Sequence, residues 1–221
     1  MDILKYVILG MIQGLAEFLP ISSSGHLVLF KYLLDINVGL TLDVFLHFGT
    51  LVAVIIVYRR DIIKMITFKE EYRKFNLYII FGSVPAGLVG ILFEDFFENI
   101  NSSLTIVGFF LIESGKRGLK DMNYLDSIVI GTAQALAIFP GLSRSGSTIV
   151  TGLYKGLNRE LAAKYSFILS IPVIGGATLL KAKELLVTGI VGISYSELVI
   201  GTISSMITGY FVIRLLLKLI K

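Results

Sequence analysis

Apolar stretches dominate this chain, and its charged residues gather between them. Leu77–Phe93, Ser127–Ser143, Tyr165–Leu180 and Leu198–Ile213 hold no ionisable acid or base except tyrosine hydroxyls. Each run approaches the roughly 17-residue minimum for a helix that crosses a bilayer. Several such runs in one chain predict a polytopic membrane protein, not a single anchor. The N-terminal run lacks a basic start and a small-residue cleavage site, so it is expected to stay in the mature protein. Composition agrees: 55% of residues are hydrophobic and 16% charged, with a mean hydropathy of +0.83. A soluble domain carries about 25% charged residues.

The charges between the runs predict a path. Arg59, Arg60, Lys64, Lys69, Arg73 and Lys74 form one basic segment, Lys116, Arg117 and Lys120 a second, and Lys155, Arg159 and Lys164 a third. Lys and Arg collect in cytoplasmic loops. Loop 94–103 has Glu94, Asp95 and Glu98 and no Lys or Arg, and is placed outside. Crossings are therefore expected near 43–58, 77–95, 102–115, 162–180 and 196–217. Segment 126–153 starts and ends at basic loops, so it must return to its own side as a helix–break–helix hairpin. The net charge of +4 is explained by this bias and implies no nucleic acid. The absence of cysteine removes disulfides, thiolate catalysis and Cys-based metal sites.

One stretch occurs twice. GMIQGLAEFLPISSSGHLVL at 10–29 aligns without a gap on GTAQALAIFPGLSRSGSTIV at 131–150, a shift of 121 positions. Residues 1–34 are thus expected to form a second hairpin, which enters from the opposite side. The fold class expected is an all-α polytopic membrane protein, one domain over 1–221. It is an inverted-topology repeat of about 1–115 and 122–221, with two re-entrant hairpins and about five full crossings. Broken helices meeting near the midplane can build a buried polar site.

The copies differ in their chemistry. The first carries Glu17 and His26; the second carries Arg144. Such groups are costly inside a membrane and point to a site. Ser22, Ser23, Ser24, Ser143, Ser145, Ser147 and Thr148 supply hydroxyls, and Gly25 and Gly146 let the backbone turn its amides to one point. Each tip leads into a helix N-terminus, which favours an anion, and Arg144 offers a fork that matches phosphate. A carboxylate beside a phosphate implies a divalent cation or a proton carrier. Plainer readings stand beside these. Serine and glycine also serve close helix packing, Glu17 would serve a structural ion pair, and His26 would be a satisfied interior histidine. His47 and Asp43 have no repeat partner and read as interface or packing residues. Glu113 reads as a membrane-boundary charge, and Phe45, Phe81 and Phe109 as lipid-facing or core positions. There is no phosphate-binding G-x-x-x-x-G-K-[ST] loop and no G-x-S-x-G elbow.

The pairing of QGLAEFLPISSSGH (13–26) with PGLSRSGST (140–148) resembles the bacitracin-resistance type of undecaprenyl-diphosphate phosphatase. The likeness extends over nearly the whole chain, including FEDFF at 93–97 and IPVIGGATLLK at 171–181. The resemblance implies a multi-pass enzyme of the cell membrane, its site facing the outer side. It would hydrolyse a polyprenyl diphosphate to the monophosphate with a divalent cation, Mg or Ca. That reaction recycles the lipid carrier for cell-wall glycans and confers bacitracin resistance. Carried over, Glu17 would hold the metal or manage protons. His26 and Ser23 would be the attacking or protonating groups, and Arg144 would clamp the diphosphate. Gln13, Ser22, Ser24, Gly25, Ser143, Ser145, Gly146 and Thr148 would complete the binding set. Members of the family continue past the stretch equivalent to 214–221 into a further apolar helix. Five crossings are therefore expected in place of six, with lipid or a second copy in a homodimer covering the exposed face.

Two other readings remain. Inverted repeats also build transporters, so the same anion site could carry a polyprenyl phosphate across the bilayer. A different lipid phosphatase type, with a second histidine after its Ser-Arg loop, would need a histidine beyond Arg144, and none follows.

Overall fold

The computed structural model describes residues 2–92, 115–139, 141–189 and 192–220. Among these the secondary structure is helical: α1 (Asp2–Ala16), α2 (Ser23–Leu33), α3 (Leu40–Val57), α4 (Arg59–Ile66), α5 (Glu70–Leu92), a 3-10 turn (Leu119–Asp121), α6 (Tyr124–Leu136), α7 (Arg144–Tyr154), α8 (Arg159–Thr188) and α9 (Tyr195–Leu219). Four of them, α3, α5, α8 and α9, are long and apolar enough to cross a membrane. The chain is an all-α integral membrane protein. The expected crossing at 102–115, with Glu113 and Phe109, lies outside the described residues except for Gly115, and the FEDFF run lies outside them entirely.

The duplication is visible in the helices. Shifted by 121 positions, α2 falls residue for residue on α7, and α1 overhangs α6 by one residue at each end. Both pairs are the hairpins expected from the sequence. The hairpins do not pack mainly within their own repeat. α1 lies chiefly against α9, and α6 chiefly against α5. Equivalent glycines make both contacts. A Cβ on Gly10 would stand 2.4 Å from the carbonyl oxygen of Gly201, and one on Gly131 would stand 2.2 Å from that of Gly82. Lipid offers no hydrophobic drive between helices, so close backbone approach and interhelical hydrogen bonds replace it. Ser204 donates to the carbonyl of Val7 and Ser205 to that of Leu46, tying α9 to α1 and α3. Tyr165 donates to the carbonyl of Tyr78 at 2.7 Å and meets the Ser127 hydroxyl at 2.8 Å, tying α8 to α5 and α6.

Two features extend the sequence reading. The basic segment 59–74 is not one loop but a short helix, α4, followed by the first turns of α5. Its end is stabilised by Lys64 on Glu71 at 2.7 Å. α8 runs well past the expected 162–180 and contains Pro172. At 1.5 Å per residue its 30 residues span about 45 Å, longer than a ~30 Å hydrocarbon core.

The base of the second hairpin is fixed by a buried carboxylate. Asp126 accepts from Arg117 at 2.6 Å, lies 3.6 Å from Lys155, and closes the α6 N-terminus with Asn123. Asp126 draws the proton affinity of Arg117 upward, through its hydrogen bond first and its charge second. At the first hairpin, Lys31 of α2 pairs with Asp43 of α3 at 2.8 Å. Asp43 thus has the structural role expected of it.

Candidate functional site

Each tip begins where a helix stops and ends where the next is capped. Glu17 follows α1 directly, its amide still bonded to the Gln13 carbonyl at 2.9 Å. Ser22 caps α2 by accepting from the amide of Gly25 (3.4 Å), and Ser143 caps α7 by accepting from the amide of Gly146 (3.1 Å). Serine is a favoured N-cap because its oxygen satisfies one of the amides that a helix start leaves free.

The two tips touch. Ser143 and Ser145 each donate to the carbonyl of Leu19 at 3.4 Å, from one hairpin to the other. A Cβ on Gly146 would lie 3.0 Å from the Cβ of Pro20, so bare glycine there lets the tips approach. Across this contact the Arg144 guanidinium bonds Glu17 Oε1. Both side chains are largely withdrawn from solvent, 16% and 4% exposed. The expected convergence of acid and guanidinium is therefore present.

Glu17 is the hub. Its Oε2 accepts from Gln13 Nε2 at 2.9 Å and from the Ser23 hydroxyl at 2.9 Å. His47 Nε2 lies 3.4 Å from the same oxygen. Arg144 occupies the first position of α7, the end where the helix dipole repels a cation. Helix stability alone would not select it there; an anion in front of it would. Glu17 fulfils that role in this structure.

The remaining expected residues divide into two groups. Thr148 is buried and meets Ser166 Oγ at 2.5 Å, and Arg144 reaches the Ser166 carbonyl at 3.4 Å, so α8 supports the second tip. Ser24 contacts Ser22 at 3.4 Å. His26 stands three residues after Ser23 on the same face of α2. Its Nδ1 faces the Ser22 carbonyl at 2.8 Å. A carbonyl only accepts, so Nδ1 carries the hydrogen and Nε2 is left for a ligand. No contact joins His26 to Glu17 among the described hydrogen bonds and ion pairs.

The reading of His47 as an interface or packing residue needs correction. It projects from α3 into the Glu17 cluster, its Nδ1 fixed by the Asp43 carbonyl at 2.7 Å. Thr50, fully buried one turn on, donates to the His47 carbonyl. Ser166 was also missed. Neither residue lies in the duplicated stretch. The signal available for His47 was its own: an ionisable residue inside an apolar helix.

Oxygen donors for a hard cation are at hand. Glu17 supplies a carboxylate, and Gln13 Oε1, one turn away, is buried without a hydrogen-bond partner. Among the described residues no group of three or more His, Cys, Asp or Glu forms a closed metal cage. Magnesium commonly takes one or two carboxylates and completes its shell with phosphate oxygens and water. The donor set fits a cation of that kind.

Two matched hairpins that bring a carboxylate and a guanidinium together among apolar helices define an integral membrane protein with a buried polar cluster between its repeats. The family model for the bacitracin resistance protein BacA matches residues 6–221, and the chain belongs to that family. It is 49% identical to the undecaprenyl-diphosphatase of Halothermothrix orenii, over all of this chain and 90% of that protein. It is 44% identical to the undecaprenyl-diphosphatase of Methanosphaera stadtmanae, over all of this chain and 91% of that protein. The undecaprenyl-diphosphatase of Alkaliphilus metalliredigens is 40% identical over the same shares.

Proposed function

We propose that this chain hydrolyses undecaprenyl diphosphate, or a related polyprenyl diphosphate, to the monophosphate and inorganic phosphate. The observation that carries the proposal is the Glu17–Arg144 contact across two capped tips. Arg144, the first amides of α2 and α7, and the hydroxyls of Ser22, Ser24, Ser143, Ser145 and Thr148 would hold the diphosphate. Gly25 and Gly146 keep the backbone accessible. The names of the relatives support the same substrate.

A divalent cation, Mg or Ca, held by Glu17 and Gln13 with phosphate oxygens, would neutralise charge on the phosphates. Ser23 is the hydroxyl best placed to attack, because it already donates to Glu17 Oε2. Its proton passes to Glu17 as Oγ bonds the terminal phosphorus. The bond to the bridging oxygen breaks, and the polyprenyl monophosphate leaves. Water then releases the phosphate from Ser23. The monophosphate leaves as its anion, and His26, its Nδ1 hydrogen held by Ser22, presents Nε2 to accept a proton from the water that releases the phosphate. His47 orients Glu17. The isoprenoid tail lies between helices and lipid.

The protein would act in the cell membrane with its site toward the outer side, alone or as a homodimer, and return lipid carrier to cell-wall synthesis. By removing the diphosphate form of the carrier it would confer bacitracin resistance. Phosphate release from undecaprenyl diphosphate in detergent micelles, with Mg or Ca titrated, tests the activity. Release that depends on the cation and is lost in Arg144→Ala supports it. Near-normal release by Arg144→Ala would overturn it. Micelles cannot support translocation, so phosphate release there separates hydrolysis from transport.

A further inference from the structure

Away from the hairpin tips, a cleft of about 810 Å3 opens between the C-terminal ends of α3 and α9, where α4 begins. Its walls include Val57, Phe211 and Leu215, and Arg59, Arg60, Arg214 and Lys218 stand around them. No Asp or Glu lines it. The bias of cytoplasmic loops toward Lys and Arg accounts for cations at this end of the bundle. It does not account for four of them around one apolar cleft without counter-charges. Some cations near the helix ends are paired, Lys64 with Glu71, Lys155 and Arg117 with Asp126, Lys164 with Asp61, whereas Lys69, Arg73, Lys74 and Arg159 form no ion pair among the described residues; the cleft differs from these in gathering its unpaired cations around one apolar cavity. None of the four at the cleft forms an ion pair among the described residues. Arg214 instead donates to the Tyr210 hydroxyl at 2.8 Å and lies 5.6 Å from that ring's centre. Arg59 reaches only the carbonyl of Ile56, at 3.5 Å.

We propose that this cleft binds the phosphate headgroup of an anionic diacyl phospholipid of the cytoplasmic leaflet, its acyl chains lying along α9. The charges match a phosphate, and guanidinium is suited to bind it with two parallel bonds. The apolar wall selects a lipid over a free anion. Phe211 is 63% exposed and Leu215 57%, and an acyl chain would cover both where inorganic phosphate would cover neither. Basic pockets between transmembrane helices on the cytoplasmic side suit such headgroups, and each added cation near an anionic surface strengthens attraction about fivefold. The cleft shares no residue with the tips, so the proposal is independent of the hydrolytic reading.

The test uses the purified full chain in detergent, titrated with phosphatidylglycerol, phosphatidylcholine or inorganic phosphate, with bound lipid counted by native mass spectrometry. Phosphatidylglycerol is expected to bind at least fivefold more tightly than phosphatidylcholine and to resist displacement by millimolar phosphate. The triple variant R60Q/R214Q/K218Q should bind both lipids alike, while R73Q/K74Q, outside the cleft, keeps the preference. Should the triple variant not fold, R60Q and K218Q separately should each weaken phosphatidylglycerol binding two- to fivefold. Equal binding of the two lipids by the unaltered chain would overturn the proposal. So would unchanged binding by the cleft variants, an equal loss in R73Q/K74Q, or displacement of the lipid by inorganic phosphate.

Discussion

In the first hairpin the chain turns through Pro20 and a left-handed Ser22 (φ 59°); in the second it turns through Gly141 (φ 92°), and Ser143 keeps a φ of −83°. Positions 20 and 141 are equivalent under the 121-residue shift. Proline fixes φ near −65° and cannot take the left-handed region, whereas glycine enters it freely. The strained residue in the first tip therefore falls two places later, on the cap itself. The side chains diverge as well. Phe18 is buried edge-on against Phe167, 5.3 Å between ring centres, whereas its equivalent Phe139 is 39% exposed. Glu17 corresponds to Ile138, and Ser23 to Arg144. Duplication supplied one frame twice, and substitution within it separated the charges. Each tip alone holds one half of the charged pair. Only their contact brings the acid and the guanidinium together.

The largest expected effect comes from removing that division of labour. Arg144→Ala should lower phosphate release about 10²–10³-fold, the scale of losing one preorganised charge donor. The protein should still insert in the membrane. The exchange Glu17→Arg with Arg144→Glu restores opposite charges across the contact and sharpens the test. It should recover thermal stability relative to either single variant and leave phosphate release as low. Recovery of activity would show the contact to be only structural.

His47 has no equivalent in the second repeat, where Ile168 occupies its place. Its loss should cost less. His47→Ala is expected to lower kcat about tenfold with little change in KM, because its ring nitrogen lies 3.4 Å from Glu17 and would steady that carboxylate. A KM effect alone in detergent kinetics would argue for substrate binding instead.

Gly10 and Gly131 offer a comparison free of chemistry. Both hairpins use them for backbone contact with the far helix, so Gly10→Ala and Gly131→Ala should each destabilise by about 1–3 kcal/mol in thermal unfolding. Unequal losses would show that the two hairpins are seated differently. The smallest effect belongs to the caps. Ser22→Gly relieves a left-handed serine, worth roughly 1–2 kcal/mol, and gives up only a few tenths in capping. It should raise the unfolding midpoint slightly, whereas Ser143→Gly should lower it.

The sequence was most legible where it repeated itself. Matched Gly/Ser breaks marked the hairpins, and the charged departures from the match, Glu17 and Arg144, marked where they meet. The helix starts after the tips were expected from the same alignment; that Ser22 and Ser143 cap them was seen only in the structure. His47 and Ser166 were not legible in this way. They come from α3 and α8, whose apolar runs announce crossings but not which face turns to the tips. That face is set by helix packing, and the glycine and serine contacts behind it pair residues as distant as Gly10 and Gly201. α4 escaped notice because its charges read equally well as a loop. Asp43 and His47 were read alike, as residues without a repeat partner, and only the packing of the helices separates them: Asp43 pairs with Lys31, whereas His47 turns to Glu17.

The chain has no cysteine, so a single introduced pair reports tip contact without competition. Pro20→Cys with Gly146→Cys places two thiols where the tips approach, and oxidation in native membranes should join them. The joined form should release no phosphate, and reductant should restore release to the level of the unoxidised double variant. Two thiols that label readily but never join would show that the tips stand apart, and the site built on them would not exist.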